Sequence, residues 1–486
     1  LFSQRPNVII VYADDLGYGD LSCYGASKIK TPNIDKLAEK GIRFTRAYSS
    51  SATCTPSRYS LMTGIYAFRK SGTGVLPGDA ALIIDTQSST LPKIFQQSGY
   101  RTAIIGKWHL GLGTSVEKNW NEKISPGPNE IGFDFSYIFP ATADRVPTVF
   151  MENGVIVGLD KSDTIRVNYK EKIGSEPTGK ENPELLKLKN SPNHGHDQTI
   201  INGIGRIGYM TGGKAARWTD EEISTTFFEK FLDFKKKKKP PPFFFFFSLT
   251  EPHVPRMPAT MFKGKSGLGL RGDAILQIDW TIKQLMDKLE YLGIDKNTMV
   301  IITSDNGPVL DDGYDDGAVS QINGHTPSGI LRGGKYSIYE AGTRVPFIVH
   351  WPKKIKSSKV SSALVSQVDF IASFKGLLKI NHDNEKTDSE NQWAAFTGQS
   401  KKGREKLILH AGTLALIQND WKYIHPSGGP MMSILTNIEL GNRPWPQLFN
   451  LSNDPGEKNN VASQHVDKMK AMEKELVRIK NEHLLK

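Results

Sequence analysis

The stretch Asn7-Val8-Ile9-Ile10-Val11-Tyr12-Ala13-Asp14-Asp15 decides the predicted fold, because an apolar, β-branched run ends on two adjacent carboxylates. Such runs are typical of parallel strands that are buried on both faces. Further runs of this type are Arg101 to Gly106, the aromatic run ending near Leu249, Thr298 to Thr303, and Val345 to Trp351. The sequence therefore predicts a sheet built around a set of buried strands.

Helical patterns lie between these strands. Pro32 to Lys40 has a proline near its start and Gly41 just beyond its end, as helices often do. Apolar residues recur at helical spacing from Ile275 to Leu292, before Gly293. Alternating strands and helices predict an α/β fold, a large mixed and mostly parallel sheet sandwiched by helices.

The pattern changes after about residue 355. Shorter strand-like pieces follow, at Leu407 to His410, Trp421 to His425 and Gln447 to Leu451. A final helix has an apolar stripe of Val466, Met469, Met472, Leu476 and Ile479, which we expect to dock on a small sheet. We therefore predict a large domain over 1–355 and a smaller C-terminal α+β subdomain over 356–486, with a small antiparallel sheet and the terminal helix.

Composition narrows the possible partners. The chain has 486 residues, 38% of them hydrophobic, which is enough for a large core. Its formal charge of +11 favours encounters with polyanions, including nucleic acids, anionic membranes and sulfated polysaccharides. The run Lys235–Lys239 is predicted to be a solvated loop, and no nucleic-acid motif accompanies it. We therefore predict no nucleic-acid binding. No apolar stretch reaches the roughly 20 residues of a membrane span, so we predict no membrane insertion either.

Two cysteines in this length exclude a disulfide framework. Cys23 is predicted to be a small buried side chain. The chain begins at Leu1 rather than at a methionine, so we expect an export signal to have been removed.

Polar residues follow four of the predicted strands, as Asp14-Asp15, Lys107-Trp108-His109, Glu251-Pro252-His253 and Asp305-Asn306-Gly307. In open α/β sheets, ligands bind beyond the carboxyl ends of the strands. Three carboxylates and the amide of Asn306 suit a hard cation such as calcium, whereas zinc would favour His or Cys. A loop or helix cap is the alternative for an Asp-Asp pair by itself.

The pentapeptide Cys54-Thr55-Pro56-Ser57-Arg58 adds a nucleophile candidate. Pro56 suits the first turn of a helix, which would place Cys54 at the positive end of that helix. Arg58 would then contact the nucleophile or a bound anion, with a surface role as the alternative.

With this pentapeptide the chain resembles a type I, arylsulfatase-like sulfatase of the alkaline phosphatase superfamily. The resemblance covers nearly the whole length. The other matching stretches are Asn7 to Asp20, Gly99 to Gly111, Glu251 to Pro255, Ser304 to Pro308, Leu331 to Pro346 and Leu448 to Pro455.

The resemblance implies a cofactor chemistry. A maturation enzyme would oxidise Cys54 to formylglycine, whose hydrate is the nucleophile. One calcium ion would be bound by Asp14, Asp15, Asp305 and Asn306, with the modified Cys54 completing its coordination.

The resemblance also implies roles for residues around the sulfate. These residues are Arg58, Lys107, His109, His253 and Lys335. His253, helped by Lys335, would protonate the departing sugar oxygen, and His109 would take the proton of the second hydroxyl of the hydrate. Glu340, Thr343 and Arg344 would support Lys335 structurally.

The irregular region from Ala141 to Gly213 is where we expect substrate specificity. Thr142 stands where relatives often have a serine, and it keeps a hydroxyl. His194, His196 and His325 are candidates for sugar contact, with a solvated loop as the alternative for each. Four arginines in or near this region are expected at the surface, with contact to other anionic groups of a glycan as the alternative: Arg145, Arg166, Arg206 and Arg217.

The predicted function is hydrolysis of sulfate esters on a sulfated carbohydrate, either a glycosaminoglycan or an algal polysaccharide fragment. The alternatives are a phosphonate or phosphodiester hydrolase of the same superfamily and a non-catalytic sulfated-glycan-binding relative. The expected partners are the sulfated saccharide and the maturation enzyme that makes formylglycine. The expected location is periplasmic or secreted, or lysosomal in an animal.

Overall fold

The computed structural model describes residues 5–192, 194–234, 242–380 and 386–482. The run Lys235–Lys239, predicted as a solvated loop, lies outside these residues. Within them, every helix is too short or too polar to cross a bilayer.

The secondary structure alternates strands and helices along most of the chain. The strands are β1 Asn7–Ala13, β2 Ile42–Phe44, β3 Ala47–Tyr48, β4 Arg101–Lys107, β5 Phe135–Phe139, β6 Met151–Glu152, β7 Val155–Ile156, β8 Arg166–Asn168, β9 Ile200–Ile201, β10 Ile204–Gly205, β11 Tyr209–Thr211, β12 Phe243–Ser248, β13 Thr298–Ser304, β14 Phe347–His350, β15 Lys359–Ser361, β16 Val365–Ser366, β17 Lys406–Ala411, β18 Thr413–Gln418, β19 Trp421–Ile424, β20 Met432–Ser433, β21 Ile438–Glu439 and β22 Gln447–Asn450. The α-helices are α1 Pro32–Glu39, α2 Cys54–Thr63, α3 Leu91–Gln97, α4 Ile223–Phe234, α5 Gly269–Tyr291, α6 Glu340–Thr343, α7 Phe370–Leu378, α8 Trp393–Phe396 and α9 Val466–Asn481.

The chain forms two compact units. The first comprises Leu1–Asp14, Leu76–Ile301 and Leu310–His325, and the second comprises Asp15–Val75, Ile302–Val309 and Thr326–Lys486. Among the described residues, ten strands belong to the large mixed sheet. The domain boundary that the sequence predicts near residue 355 stays a prediction.

The first unit contains the strands β1, β12, β4 and β5, which are neighbours in that order and all parallel. Successive side chains of β12 point to opposite faces of the sheet. On one face Phe244 stacks on Phe95 of α3 (4.3 Å between ring centroids), and on the other Phe245 packs on Phe231 of α4 (4.9 Å). Helices therefore cover both faces, as the sequence predicts.

The second unit contains the strands β2, β14 and β15. β14 pairs with β2 antiparallel, whereas β15 pairs with β2 parallel, so the pairing here is mixed. α1 packs on β14 and β2, and it runs from Pro32 to Glu39 as its proline and following glycine predict.

The C-terminal part of the second unit contains an antiparallel sheet in the order β17-β18-β19-β22. α9 packs on this sheet through the buried Met472 and Leu476, with Met469 and Ile479 partly buried beside them. The predicted small sheet and docking helix are therefore confirmed. Val466, predicted as part of the apolar stripe, is instead 42% exposed, because it is the first residue of the helix.

Candidate active site

Predicted site residues of the first unit lie at the ends of neighbouring strands. Asp14 follows β1 and Lys107 ends β4, and Lys107 Nζ lies 2.5 Å from Asp14 Oδ2. The N–H of Asp14 donates to the carbonyl oxygen of Glu251 (3.0 Å), two residues before His253. The potential metal-binding atoms of Asp14 and His253 lie within 4.8 Å of each other. The parallel strands thus bring these predicted residues together.

A glycine shapes the end of β4. Gly106 has φ 120°, and a Cβ at this position would lie 1.7 Å from the carbonyl oxygen of Ser248 on β12. Only glycine fits this close approach, which sets the backbone immediately before Lys107.

Predicted metal ligands of the second unit form one hydrogen-bonded group. Asn306 Nδ2 donates to Asp15 Oδ1 (2.7 Å), and the N–H of Asp15 donates to Asp305 Oδ1 (3.2 Å). Lys335 Nζ donates to the other carboxylate oxygen of Asp15 (3.0 Å). All four side chains are buried, and Asp15 is joined to Asp14 by a peptide bond.

Cys54 begins α2, whose ten residues are all buried. Its sulfur lies within 4.8 Å of a carboxylate oxygen of Asp15. Arg58, one turn further along α2, donates from Nε (3.1 Å) and Nη2 (2.8 Å) to Asp305 Oδ2. The amino end of a helix carries unpaired N–H groups and a partial positive charge, so an anion beside Cys54 would be stabilised.

The second-unit group fits a hard cation. Asn306 Oδ1 is buried, and within the described part of the chain it accepts no hydrogen bond. A buried acceptor without a hydrogen bond lowers stability by about 1–3 kcal/mol. A cation bound by this oxygen would recover that loss. The neighbouring Asp15 and Asp305 add carboxylate oxygens, and calcium and magnesium prefer oxygen ligands.

Hydrogen bonds fix the orientation of both predicted catalytic histidines. His109 Nε2 lies 2.9 Å from the carbonyl oxygen of Leu76, and His253 Nδ1 lies 2.7 Å from that of Val254. A carbonyl oxygen only accepts, so each of these nitrogens donates. In neutral rings the lone pair is therefore on Nδ1 of His109 and on Nε2 of His253, and these are the nitrogens that could accept a proton.

Backbone strain marks the same residues. Asp15 (φ 63°), His109 (φ 56°) and Tyr336 (φ 73°), which follows Lys335, adopt left-handed conformations although none is glycine. Each costs on the order of 1–3 kcal/mol, and such strain is concentrated at functional sites.

Two of the predicted sugar-contact residues bind one carboxylate in the first unit. The Thr142 hydroxyl donates to Asp144 Oδ1, and His196 Nε2 lies 3.0 Å from Asp144 Oδ2. Arg145 also pairs with Asp144 (3.1 Å). Burial opposes ionisation of Asp144, but Arg145, the hydrogen bond from His196 and the charge of His253 hold its pKa well below the usual value.

The other two sugar-contact candidates lie outside this group. His194 Nε2 is 3.7 Å from Asp311 Oδ1, and the N–H of His325 donates to the carbonyl oxygen of Ile322 (2.8 Å). The solvated-loop alternative is wrong for His196 and His325, which are each only 6% exposed.

Several expectations of surface placement are also wrong. Arg206 is fully buried and makes a two-bond ion pair with Asp220, because the irregular region folds back over its own polar groups. Arg145 and Arg217 are mostly covered, at 16% and 11% side-chain exposure. Cys23 was expected to be buried and is half-buried; its N–H donates to Asp35 Oδ1 (2.9 Å).

The sequence did not reveal a buried ionic group behind the Lys335 loop. Lys422 Nζ lies 3.1 Å from Glu340 Oε1 and 2.9 Å from Glu457 Oε1, and all three side chains are fully buried. The N–H of Glu340 also donates to Glu457 Oε2 (2.5 Å). Glu340 was predicted to support Lys335. Its partners Lys422 and Glu457 are far from it in sequence, so no local pattern connects the three residues.

Comparison with known proteins identifies the family. The sulfatase family model matches residues 6–380. This chain belongs to the sulfatase family. The predicted family and fold are confirmed, and the enzyme is a sulfuric ester hydrolase.

Three similar proteins show how far the similarity of this sulfatase extends. It is 52% identical over 481 residues to an N-acetylgalactosamine-6-O-sulfatase of Bacteroides thetaiotaomicron, covering 98% of this chain and 94% of that protein. A solved structure described under glycosaminoglycan metabolism by Bacteroides thetaiotaomicron matches with a TM-score of 0.96 and 51% identity, over 99% of this chain and 100% of that one. The structure of i-CgsB in complex with a neocarrahexaose matches with a TM-score of 0.69 and 25% identity, over 98% and 93% of the two chains.

Proposed function

We propose that this sulfatase removes the 6-O-sulfate of N-acetylgalactosamine in glycosaminoglycan saccharides and releases inorganic sulfate. The observation that carries this proposal is the 52% identity, over 98% of the chain, to an N-acetylgalactosamine-6-O-sulfatase. It favours a glycosaminoglycan over an algal polysaccharide, because the matched structure with a neocarrahexaose is only 25% identical.

The proposed nucleophile is formylglycine made from Cys54 by a maturation enzyme. Its hydrate supplies one hydroxyl to attack sulfur and a second whose deprotonation releases sulfate. The position of Cys54 at the start of α2 supports this role, since the helix amides and Arg58 stabilise negative charge there.

The proposed metal is one calcium ion, held by Asp14, Asp15, Asp305 and Asn306. When bound, it would neutralise the charge of the sulfate group and so lower the repulsion of a nucleophile. The pairs Asp15–Lys335 and Asp305–Arg58 are each neutral, so a divalent cation would leave net positive charge for the substrate anion.

The proposed proton transfers use the two oriented histidines. His253, assisted by Lys335, protonates the sugar oxygen as it leaves, and His109 accepts the proton of the nucleophile's second hydroxyl. Lys107 and Arg58 bind sulfate oxygens. Hydrogen bonds to Leu76 and Val254 keep each ring in a fixed orientation, which supports this assignment.

We assign sugar contact to Thr142, His194, His196 and His325, as the sequence predicts. Arg145 joins this set, because it pairs with the carboxylate that binds Thr142 and His196 and keeps 16% of its side chain exposed. We also propose a periplasmic or secreted location, or a lysosomal one in an animal, where polymeric sulfate esters occur.

Sulfate release from defined saccharides tests the proposal. We expect the 6-sulfate of N-acetylgalactosamine to be hydrolysed at least about 100-fold faster than its 4-sulfate or the 6-sulfate of N-acetylglucosamine, because a site built for one hydroxyl arrangement rejects others. Ion chromatography of sulfate measures this. Equal rates on the three sugars, or faster hydrolysis of an aryl phosphate than of an aryl sulfate, would contradict it.

A further inference from the structure

One lysine-rich stretch has no role in the proposed site. Pro352-Lys353-Lys354-Ile355-Lys356-Ser357-Ser358-Lys359 carries four lysines in eight residues, and no Asp or Glu occurs between Glu340 and Asp369. Short lysine-rich stretches of this kind are a pattern of polyanion-binding surfaces.

The structure displays these lysines to solvent. Trp351 (3% exposed) and Ile355 (5%) anchor a turn, in which the N–H groups of Lys354 and Ile355 donate to the carbonyl oxygen of Trp351 (3.0 and 2.8 Å). All four lysines are exposed, as are Ser357 and Ser358, whereas Pro352 is half-buried. The buried anchors therefore hold the turn while its charges face water.

The charges of the turn are not neutralised by neighbours. Lys356 Nζ donates to the carbonyl oxygen of Pro352, and Lys359 Nζ donates to that of Gly398 (2.9 Å each). In the part of the chain that the structure describes, none of the four lysines has a carboxylate within 4 Å. The exposed Lys283, by contrast, pairs with Asp287.

A second basic turn lies beside the first. Gly398 accepts the bond from Lys359, and the N–H of Arg404 donates to the carbonyl oxygen of Leu364 (2.7 Å), so the segment 398–404 contacts the stretch 359–364 at both of its ends. This segment contains Lys401 and Lys402, both exposed. We call the combined set the basic surface; it consists of Lys353, Lys354, Lys356, Lys359, Lys401 and Lys402.

Protection of a sheet edge explains only part of this surface. β15 is the end strand of the large sheet, and lysines on such strands discourage pairing with other chains. Protection of the sheet edge accounts for Lys359, which lies on β15. Lys353, Lys354 and Lys356 precede the strand, and Lys401 and Lys402 lie outside it.

We propose that the basic surface binds a sulfated polysaccharide chain and retains the enzyme on the polymer that holds its substrate. The choice of polyanion rests on the proposed function. Unpaired lysines are compact point charges that suit sulfate groups along a flexible polymer. Surfaces that bind single-stranded nucleic acids combine charge with aromatic stacking, and the six residues of the basic surface are all lysines.

Two matched triple variants of the full chain test the proposal. K353Q/K354Q/K356Q removes three charges from the basic surface, and K470Q/K474Q/K480Q removes three from the exposed face of α9. We expect the first variant to bind chondroitin 6-sulfate at least about five-fold more weakly at low salt, and the second to bind like wild type, because local charge density governs attachment. Both variants should hydrolyse an aryl sulfate at the wild-type rate.

Three results would overturn the proposal: no binding of the polymer by wild type, equal weakening in both variants, or tighter wild-type binding to DNA or phosphatidylserine vesicles than to the polymer. Failure of the proposed function has a different signature. In that case wild type would bind the polymer, yet release no sulfate from the 6-sulfate of N-acetylgalactosamine.

Discussion

Arg58 and Lys335 each bind a carboxylate that the proposed calcium site uses. Arg58 holds Asp305, and Lys335 holds Asp15, with all four side chains 3% exposed or less. Removing either cation would leave a buried carboxylate without its counter-charge, which is costly in a poorly solvated environment. Substitution at one residue would therefore disturb both the anion and the cation that this group is built to hold.

The nucleophile assignment makes a prediction for the two cysteines. We expect Cys54→Ala to lower sulfate release at least about 10³-fold, because the reaction loses its nucleophile. Cys23→Ala should keep wild-type activity, and mass spectrometry of the wild-type peptide should show formylglycine at Cys54. Substantial sulfate release by Cys54→Ala would contradict the assignment.

The metal assignment makes a prediction for Asn306. Chelation should abolish activity and added calcium should restore it, and Asn306→Ala should raise the calcium concentration for half-maximal activity by at least about 10-fold, since one oxygen ligand is lost. Asn442→Ala is the matched control, because Asn442 Oδ1 is also buried and accepts no hydrogen bond from the described residues. A normal calcium requirement in Asn306→Ala, or activity that survives chelation, would refute the ligand set.

At the scale of elements, β19 supports the loop that carries Lys335. Lys422 of β19 binds Glu340, the first residue of α6, and the N–H of Ala341 donates to the carbonyl oxygen of Arg332 (2.9 Å). The C-terminal sheet is thus connected to the backbone on both sides of Lys335. The conformation of this loop depends on strands far away in the sequence.

Lys422→Met tests this connection. We expect it to lower the free energy of unfolding by about 3–5 kcal/mol, because the ionised Glu340 would stay buried without its cation. Lys283→Met, which breaks the exposed pair with Asp287, should cost less than about 1 kcal/mol. Denaturant unfolding measures both, and equal costs would contradict a stabilising role for the buried lysine.

For the whole molecule, Glu457 makes stability depend on pH. Burial, with a further contribution from Glu340, raises its pKa from 4.5 to about 7 despite the opposing effect of Lys422. The folded protein therefore keeps this proton at pH values where the unfolded chain has lost it. Stability from this group is fully present below about pH 4.5 and is lost as pH rises toward 7.

We expect Glu457→Gln to remove this loss of stability at rising pH, because glutamine stays neutral and its side-chain oxygen still accepts the N–H of Glu340. As pH rises from 4.5 toward 7, the variant should gain stability relative to wild type, because glutamine has no proton to release. Chemical denaturation across this range measures the difference. Glu290→Gln, at an exposed position, should follow wild type, and parallel curves for all three proteins would refute the shift.

The sequence determined the strands, the family and the identity of the candidate residues. Buried strands and amphipathic helices are local patterns, and polar residues after parallel strands are expected at one edge of a sheet. Asp14, Lys107 and His253 meet for that reason. The pentapeptide similarly predicted a helix beginning beside Cys54, and α2 begins there.

Only the tertiary structure decided which charges pair and which loops are buried. Arg206 was expected at the surface, and a solvated loop was the alternative for His196, yet both are buried, and no periodic pattern in the sequence predicts that packing. Lys422, Glu340 and Glu457 meet because β19, the start of α6 and the loop that contains Glu457 converge, although Glu340 and Lys422 are 82 positions apart along the chain. The identity of each side chain is known directly from the sequence, whereas burial and charge pairing depend on long-range packing.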